Sequence, residues 1–116
     1  GLQIITIRDD LFETYSKRAD FIQRYIFPGG MMPSVEKLEA CFETAKLDLV
    51  KTDQFGLDYA DTLKLWKERF DDAWPTIEPM GFDDRFKCMW DFYLAYCEAG
   101  FRTGRIDVGQ FTISRA

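Results

Sequence analysis

The first patterned stretch is Leu2 to Ile7, where only Gln3 and Thr6 interrupt a run of Leu and Ile. A short segment this rich in β-branched residues predicts a buried strand. Asp10 followed by Glu13 has capping-box spacing and predicts a helix near Leu11 to Lys17. Phe21, Ile22, Tyr25 and Ile26 then share one side of a short helical turn over Asp20 to Ile26. Pro28-Gly29-Gly30 breaks the chain, and Pro33-Ser34 supplies an N-cap for a helix carrying Val35, Leu38, Cys41, Phe42 and Ala45. Leu47 to Thr52 reads as a second short strand that runs into Phe55-Gly56.

Asp58 is the expected N-cap of a long helix whose stripe is Tyr59, Leu63, Trp66, Phe70 and Trp74, with Pro75, Pro79 and Gly81 ending it. A further helix from Asp83 to about Ala99 stacks Phe86, Met89, Trp90, Tyr93, Leu94, Cys97 and Phe101. Arg105 to Arg115 closes the chain as a third strand. Strands separated by helices predict an α/β arrangement in which the first two strands run parallel. Periodicity leaves open whether the last strand lies antiparallel between them. No internal repeat, linker or low-complexity tract is visible.

Composition narrows the function classes. The chain has 116 residues, 47% hydrophobic and 16% aromatic, which suits one globular domain with a real core. A formal charge of −5 argues against a phosphate-reading nucleic-acid binder. There is no histidine, so Ser-His and Cys-His catalysis and His-ligated metals are excluded within these residues. Cys41, Cys88 and Cys97 are odd in number and form no C-x-x-C pair, which favours a reducing, cytoplasmic setting. The longest uncharged stretch, Tyr25 to Val35, is far short of the ~20 apolar residues of a membrane span. No leader peptide is evident; the opening residues read as a strand already under way, so the expectation is a portion of something longer.

Bare chemistry is sparse. Gly29-Gly30 follows a Pro and lacks the strand and spacing of a dinucleotide loop, so it reads as a turn. The acidic pairs Asp9-Asp10, Asp71-Asp72 and Asp83-Asp84 sit at helix boundaries or on polar faces, where capping and solvation account for them. The aromatics Tyr59, Trp66, Phe70, Trp74, Phe86, Trp90, Tyr93 and Phe101 exceed what a small core needs. Helical spacing assigns most of them to packing and leaves the remainder for an apolar pocket or an interface.

Several segments together resemble one family. Tyr25-Ile26-Phe27-Pro28-Gly29-Gly30-Met31-Met32-Pro33-Ser34 is similar to the Y-I-F-P-G-G-x-L-P-S segment of cyclopropane fatty-acyl-phospholipid synthases. Phe55-Gly56-Leu57-Asp58-Tyr59, with Thr62-Leu63 and Trp66, resembles their F-G-x-[DH]-Y-x-x-T-L-x-x-W stretch, and Cys97, Phe101-Arg102 and Gln110-Phe111 resemble the closing segment. The resemblance runs from Ile4 to Arg115, with its motifs in order.

The resemblance implies an S-adenosylmethionine-dependent methyltransferase with a Rossmann-like class I sheet. This chain would correspond to the C-terminal portion: three strands, two parallel and the last antiparallel and inserted between them, with the lid and substrate helices. The cofactor-binding N-terminal half, with its glycine-rich loop, would be a missing partner. The implied reaction converts cis double bonds of phospholipid acyl chains to cyclopropanes through a carbocation, with bicarbonate as base. Tyr59 is the implied bicarbonate-facing catalytic residue. Phe27, Met32, Leu63, Tyr93, Cys97 and Phe101 are the implied acyl-binding residues, and Tyr25, Pro28, Gly29 and Gly30 the lid. Asp58 stands where many mycolic-acid-type relatives carry His, which favours a phospholipid substrate at the inner face of the membrane.

Further expectations follow from that alignment. These 116 residues alone should be inactive and bind neither S-adenosylmethionine nor metal. Exposed sheet edges and surplus aromatics should promote a homo-oligomer. Two alternatives stay open: a free-standing lipid-binding or interaction module, and a sister methyltransferase making branched acyl chains.

Overall fold

A computed structural model describes residues 1–116. Strand β1 (Leu2–Ile7) leads to helix α1 (Asp9–Ser16), a π-helical turn (Ile22–Ile26) and helix α2 (Val35–Thr44). Strand β2 (Leu47–Gln54), helix α3 (Gly56–Ile77), a 3-10 turn (Glu78–Met80), helix α4 (Asp84–Arg102) and strand β3 (Ile106–Arg115) complete the chain. The sheet order is β1-β3-β2, and β3 is antiparallel to both neighbours. The first two strands are therefore parallel to each other without touching, and the inserted position of the last strand is settled.

Register explains the two-sided sheet. Leu2 faces Phe111 and Ile7 faces Ile106, so Ile7, Ile106 and Val108 share one face. On that face Val108 joins Ala60, Leu63, Leu94, Cys97 and Phe101 in the buried core. Phe111, only 1% exposed, lies on the other face, and α2 packs against β2. Farther along the first face Gln3 and Gln110 are exposed and hydrogen-bonded to each other at 3.1 Å. The α3–α4 pair extends past the sheet, since the 22 residues of α3 alone span about 33 Å. The molecule accordingly measures 53 × 28 × 25 Å.

Several boundaries depart from the sequence reading for local reasons. Asp10 does not cap α1; its carboxylate turns to the Arg8 guanidinium at 2.6 and 2.9 Å. The reciprocal capping box lies instead at Asp20 and Gln23: the Gln23 amide donates to Asp20 Oδ1 at 2.9 Å, and the Asp20 amide to Gln23 Oε1 at 3.0 Å. Asp58 is not the cap of α3, which starts at Gly56 because Asp107 Oδ1 on β3 accepts its amide at 2.9 Å. Pro75 lies inside α3, not at its end; it is exposed two residues before the helix stops, where water can satisfy the carbonyl it leaves free. β2 continues to Gln54 past an irregularity between Leu49 and Lys51. α4 runs past the expected end near Ala99 to Arg102, and Gly100 within it lets Ile106 approach so closely that a Cβ would meet it at 3.0 Å.

Candidate functional site

The principal hollow is an apolar cavity of about 700 Å³ between β1, α1, the π-helical turn, the segment after it and α4. Helical periodicity lays Tyr93, Tyr96, Cys97 and Gly100 along one stripe of α4, which its C-cap Thr103 continues, forming the long wall. Ile5, Ile7 and Ile106 close the sheet side. A volume in the hundreds of Å³ lined mostly by apolar groups is what a small-molecule or acyl site requires.

The strap over residues 22–32 is held by polar ties. The Phe27 amide donates to the Ile22 carbonyl at 2.7 Å, and the Gly30 amide to the Phe27 carbonyl at 3.0 Å. Gly29 takes φ +79° in this turn, a conformation that a side chain would strain. Gln23 Nε2 donates to the Gly30 carbonyl at 2.8 Å. From below, the Met32 amide donates to the hydroxyl of buried Tyr15 at 2.9 Å. Tyr96 ties the start of the strap to α4 by donating to Asp20 Oδ2 at 3.2 Å.

Five of the six residues implied as acyl-binding line this cavity: Phe27, Met32, Tyr93, Cys97 and Phe101. Phe27 meets Tyr93 edge-on with ring centroids 6.4 Å apart. Leu63 does not line it. One helical turn beyond Ala60 it points into the core and is 3% exposed. Tyr59 also lies outside the lining residues. It is half-buried, with its ring edge-on to Phe101 at 5.0 Å and to Trp66 at 5.9 Å. Its hydroxyl has no hydrogen-bond partner in the protein and is not sealed from solvent. Of the lid residues, Tyr25 is exposed and packs on Phe21 at 5.3 Å, while Pro28, Gly29 and Gly30 form the exposed turn.

Tyr59 is positioned by an unusual helix start. Asp107 Oδ1 accepts the amides of Gly56 and Val108 at 2.9 and 2.8 Å. The Phe55 amide donates to the Val108 carbonyl at 2.9 Å, and the Tyr59 amide to the Phe55 carbonyl at 3.0 Å. The first turn of α3 is thereby pinned to β3. A smaller, more polar hollow of about 590 Å³ opens beside it, lined by Asp58, Arg102 and Asp107 among others.

The electrostatics favour neutral groups inside the cavity. Burial, helped by Asp20, pushes the Cys97 thiol up to about 11. Burial likewise raises the phenols of Tyr15, Tyr93 and Tyr96. For Tyr93, Cys97 and Tyr59 add to the effect, which puts Tyr59 within electrostatic reach of the cavity wall. The sequence reading missed Tyr15, Arg18, Asp20, Tyr96 and Arg105, all of which line the cavity. The Asp20-x-x-Gln23 spacing was the one signal that could have marked this segment as anchored. No cluster of potential metal ligands is present.

Comparison with known proteins gives consistent matches. The family described as mycolic acid cyclopropane synthetase matches residues 2–111. The tuberculostearic acid methyltransferase UfaA1 of Mycobacterium tuberculosis (strain ATCC 25618 / H37Rv) is 44% identical over 99% of this chain and 27% of its own length. The cyclopropane-fatty-acyl-phospholipid synthase of Escherichia coli (strain K12) is 38% identical over 86% of this chain and 27% of its own. The cyclopropane synthase MmaA2 from Mycobacterium tuberculosis superposes with a TM-score of 0.84 at 27% identity, covering 98% of this chain and 43% of that one. The mycolic acid cyclopropane synthase CmaA1, complexed with SAH and CTAB, gives 0.83 at 27% identity over 97% of this chain and 42% of that one. The chain thus spans about a quarter of the length of these curated relatives.

Proposed function

The chain belongs to the mycolic acid cyclopropane synthetase family, and from that premise we propose that it forms the acyl-binding and lid portion of an S-adenosylmethionine-dependent lipid methyltransferase. The observation that carries this reading is the apolar cavity, lined on the strap side by Ile22, Phe27 and Met32 and walled by Tyr93, Cys97 and Phe101. The proposed conversion turns a cis double bond of a phospholipid acyl chain into a cyclopropane at a membrane surface. An apolar cavity holds an alkene chain away from water, and aromatic faces stabilise positive charge that develops on it. No helix here is long and apolar enough to cross a membrane.

The residues present do not fit S-adenosylmethionine by themselves: no glycine-rich strand-to-helix loop occurs among them. That cofactor would be held by a partner N-terminal half, as the short span relative to the curated proteins suggests. Tyr59 fits one contact to bicarbonate, because its hydroxyl is unpartnered and free to donate. Bicarbonate, when bound, supplies the base, and Tyr59 would orient it.

Two measurements test this. In the full-length protein, Tyr59→Phe is expected to lower turnover by roughly a hundredfold or more with cofactor binding unchanged. Equal loss of both would assign Tyr59 to packing against Phe101. The 116 residues alone are expected to show no binding of S-adenosylmethionine in calorimetry, and micromolar affinity would contradict the division of labour. A second reading, methyl branching of the acyl chain, is favoured by the 44% identity to the tuberculostearic acid methyltransferase across nearly the whole chain. Product NMR separates the two, since a cyclopropane ring methylene and a methyl branch give distinct signals.

A further inference from the structure

Helix α3 begins without a cap of its own. Phe55, at its N-cap position, makes no side-chain hydrogen bond to the first turn, and Asp58, the one acidic residue of that turn, supplies none. The cap comes from β3, where Asp107 is the second residue. Its Oδ1 lies 2.9 Å from the Gly56 amide and 2.8 Å from the Val108 amide, while Oδ2 takes no part in either bond. An acceptor at this end of a helix satisfies an amide that the helix itself leaves free. Two backbone bonds continue the tie: Phe55 to the Val108 carbonyl, and Tyr59 to the Phe55 carbonyl. The arrangement has no slack. Gly56 is buried, and a Cβ on it would meet not only Oδ1 but also Asp107 Cγ and Cα, at 3.2 and 3.4 Å.

Tyr59 depends on this start because its side chain is held only at the flanks. The ring meets Phe101 edge-on at 5.0 Å and Trp66 edge-on at 5.9 Å. Aromatic contacts of this kind fix the plane of a ring, and the backbone of the first turn fixes how far its hydroxyl reaches and in which direction. Misplacing a reacting or orienting group by about 1 Å, through a change away from the chemistry, can cost about a hundredfold in rate.

We propose that Asp107 is a positioning residue for Tyr59: by holding the first turn of α3 against β3 it fixes where the Tyr59 hydroxyl stands, through the reach of Oδ1 and not through its negative charge. This rests on the assignment of Tyr59 to the reaction and adds the group that aims it.

The test is a double-mutant cycle in the full-length protein, following methyl transfer from labelled S-adenosylmethionine to vesicles of unsaturated phospholipid. Asp107→Ala is expected to lower kcat roughly tenfold or more while leaving the KM for lipid within about twofold. Combined with Tyr59→Phe it should be no slower than Tyr59→Phe alone, because the residue it aims is already disabled. Asp107→Asn keeps the reach of the acceptor without the charge and should retain most of the turnover. Asp107→Glu keeps the charge but lengthens the reach, and should be slow. Asp83→Ala removes the cap of α4, where Asp83 Oδ1 accepts the Phe86 amide at 2.9 Å, and should leave kcat unchanged. A further loss of tenfold or more in the double variant, or a defect confined to KM, would overturn the positioning role. So would an Asn variant as slow as the Glu variant, and that pair decides the matter even if Asp107→Ala fails to fold. If Tyr59→Phe is slow and Asp107→Ala is not, this inference fails while the Tyr59 assignment stands. If Tyr59→Phe retains full turnover, both fall.

Discussion

Cys97 sits where α4 meets the cavity, and its burial keeps the thiol protonated far above neutral pH, pushed up to about 11. Cys41 and Cys88 are exposed. A disulfide reagent at neutral pH is therefore expected to label Cys41 and Cys88 rapidly and Cys97 only on unfolding; three equally fast thiols would contradict this. At the other end of the site, a Cβ on Gly56 would collide with Asp107 Oδ1. Gly56→Ala must push that carboxylate off the amides of Gly56 and Val108, loosening the first turn of α3 below Tyr59. Asp107→Ala, which removes the same cap without a clash, should cost about 0.5–2 kcal/mol in denaturant unfolding. A variant as stable as the parent would show that the cap does not hold α3. Caps at this scale were legible only when local: Ser34 and Asp83 accept the amides of Lys37 and Phe86, three residues on. Asp107 acts across a sequence gap of 51 residues, and no pattern in the chain announces it.

At the scale of elements, α3 and α4 are joined by four charges in alternation. Lys67 and Lys87 each contact both Asp71 and Asp91, with Lys87 2.8 Å from Asp91 and Lys67 3.2 Å from it. Lys67, followed by Lys87, holds the Asp71 carboxyl below its usual range, while Asp71 raises Lys67 and Asp91 raises Lys87. The lowered Asp71 stabilises the fold above the ordinary carboxylate pKa of 3.8 and loses that contribution as pH falls through its folded value. The raised lysines stabilise fully below 10.5 and lose their share as pH climbs past it. Thermal unfolding across pH should show a plateau between those limits and an acid limb that becomes shallower in Asp71→Asn, and an unchanged acid limb in the variant would contradict the assignment. Both helices were legible from their aromatic stripes, because the apolar period of a helix is local. The strap was legible as a short helical turn over Asp20 to Ile26 followed by a break at Pro28-Gly29-Gly30. Its anchorage depends on Tyr15 and Tyr96, which are brought to it by the fold and not by spacing.

Across the whole molecule, the two sheet edges differ. β2 exposes Lys51 and Asp53 and carries an irregularity, features that blunt an edge. β1 has none of these. The Arg8 amide points inward to the Arg105 carbonyl and that of Ile7 outward to the Pro33 carbonyl. By alternation, the amides and carbonyls of Gln3 and Ile5 also point outward, and they are unpaired. Light scattering of the 116-residue chain should therefore reveal association that Ile5→Lys reduces; a clean monomer at high concentration would contradict it. Strand order was not legible from periodicity, since an apolar run does not reveal its neighbour; the family resemblance supplied it. The cavity was legible in five of its apolar walls and in none of its polar ties, which arise only when distant segments meet. The most direct test of the account is an NMR titration of this chain with hexadecyl phosphate. Saturable amide shifts confined to Tyr15, Met32, Tyr93, Cys97 and Phe101 are predicted, whereas shifts centred on the exposed Gln3–Gln110 face, or none at all, would contradict an acyl chain in the cavity.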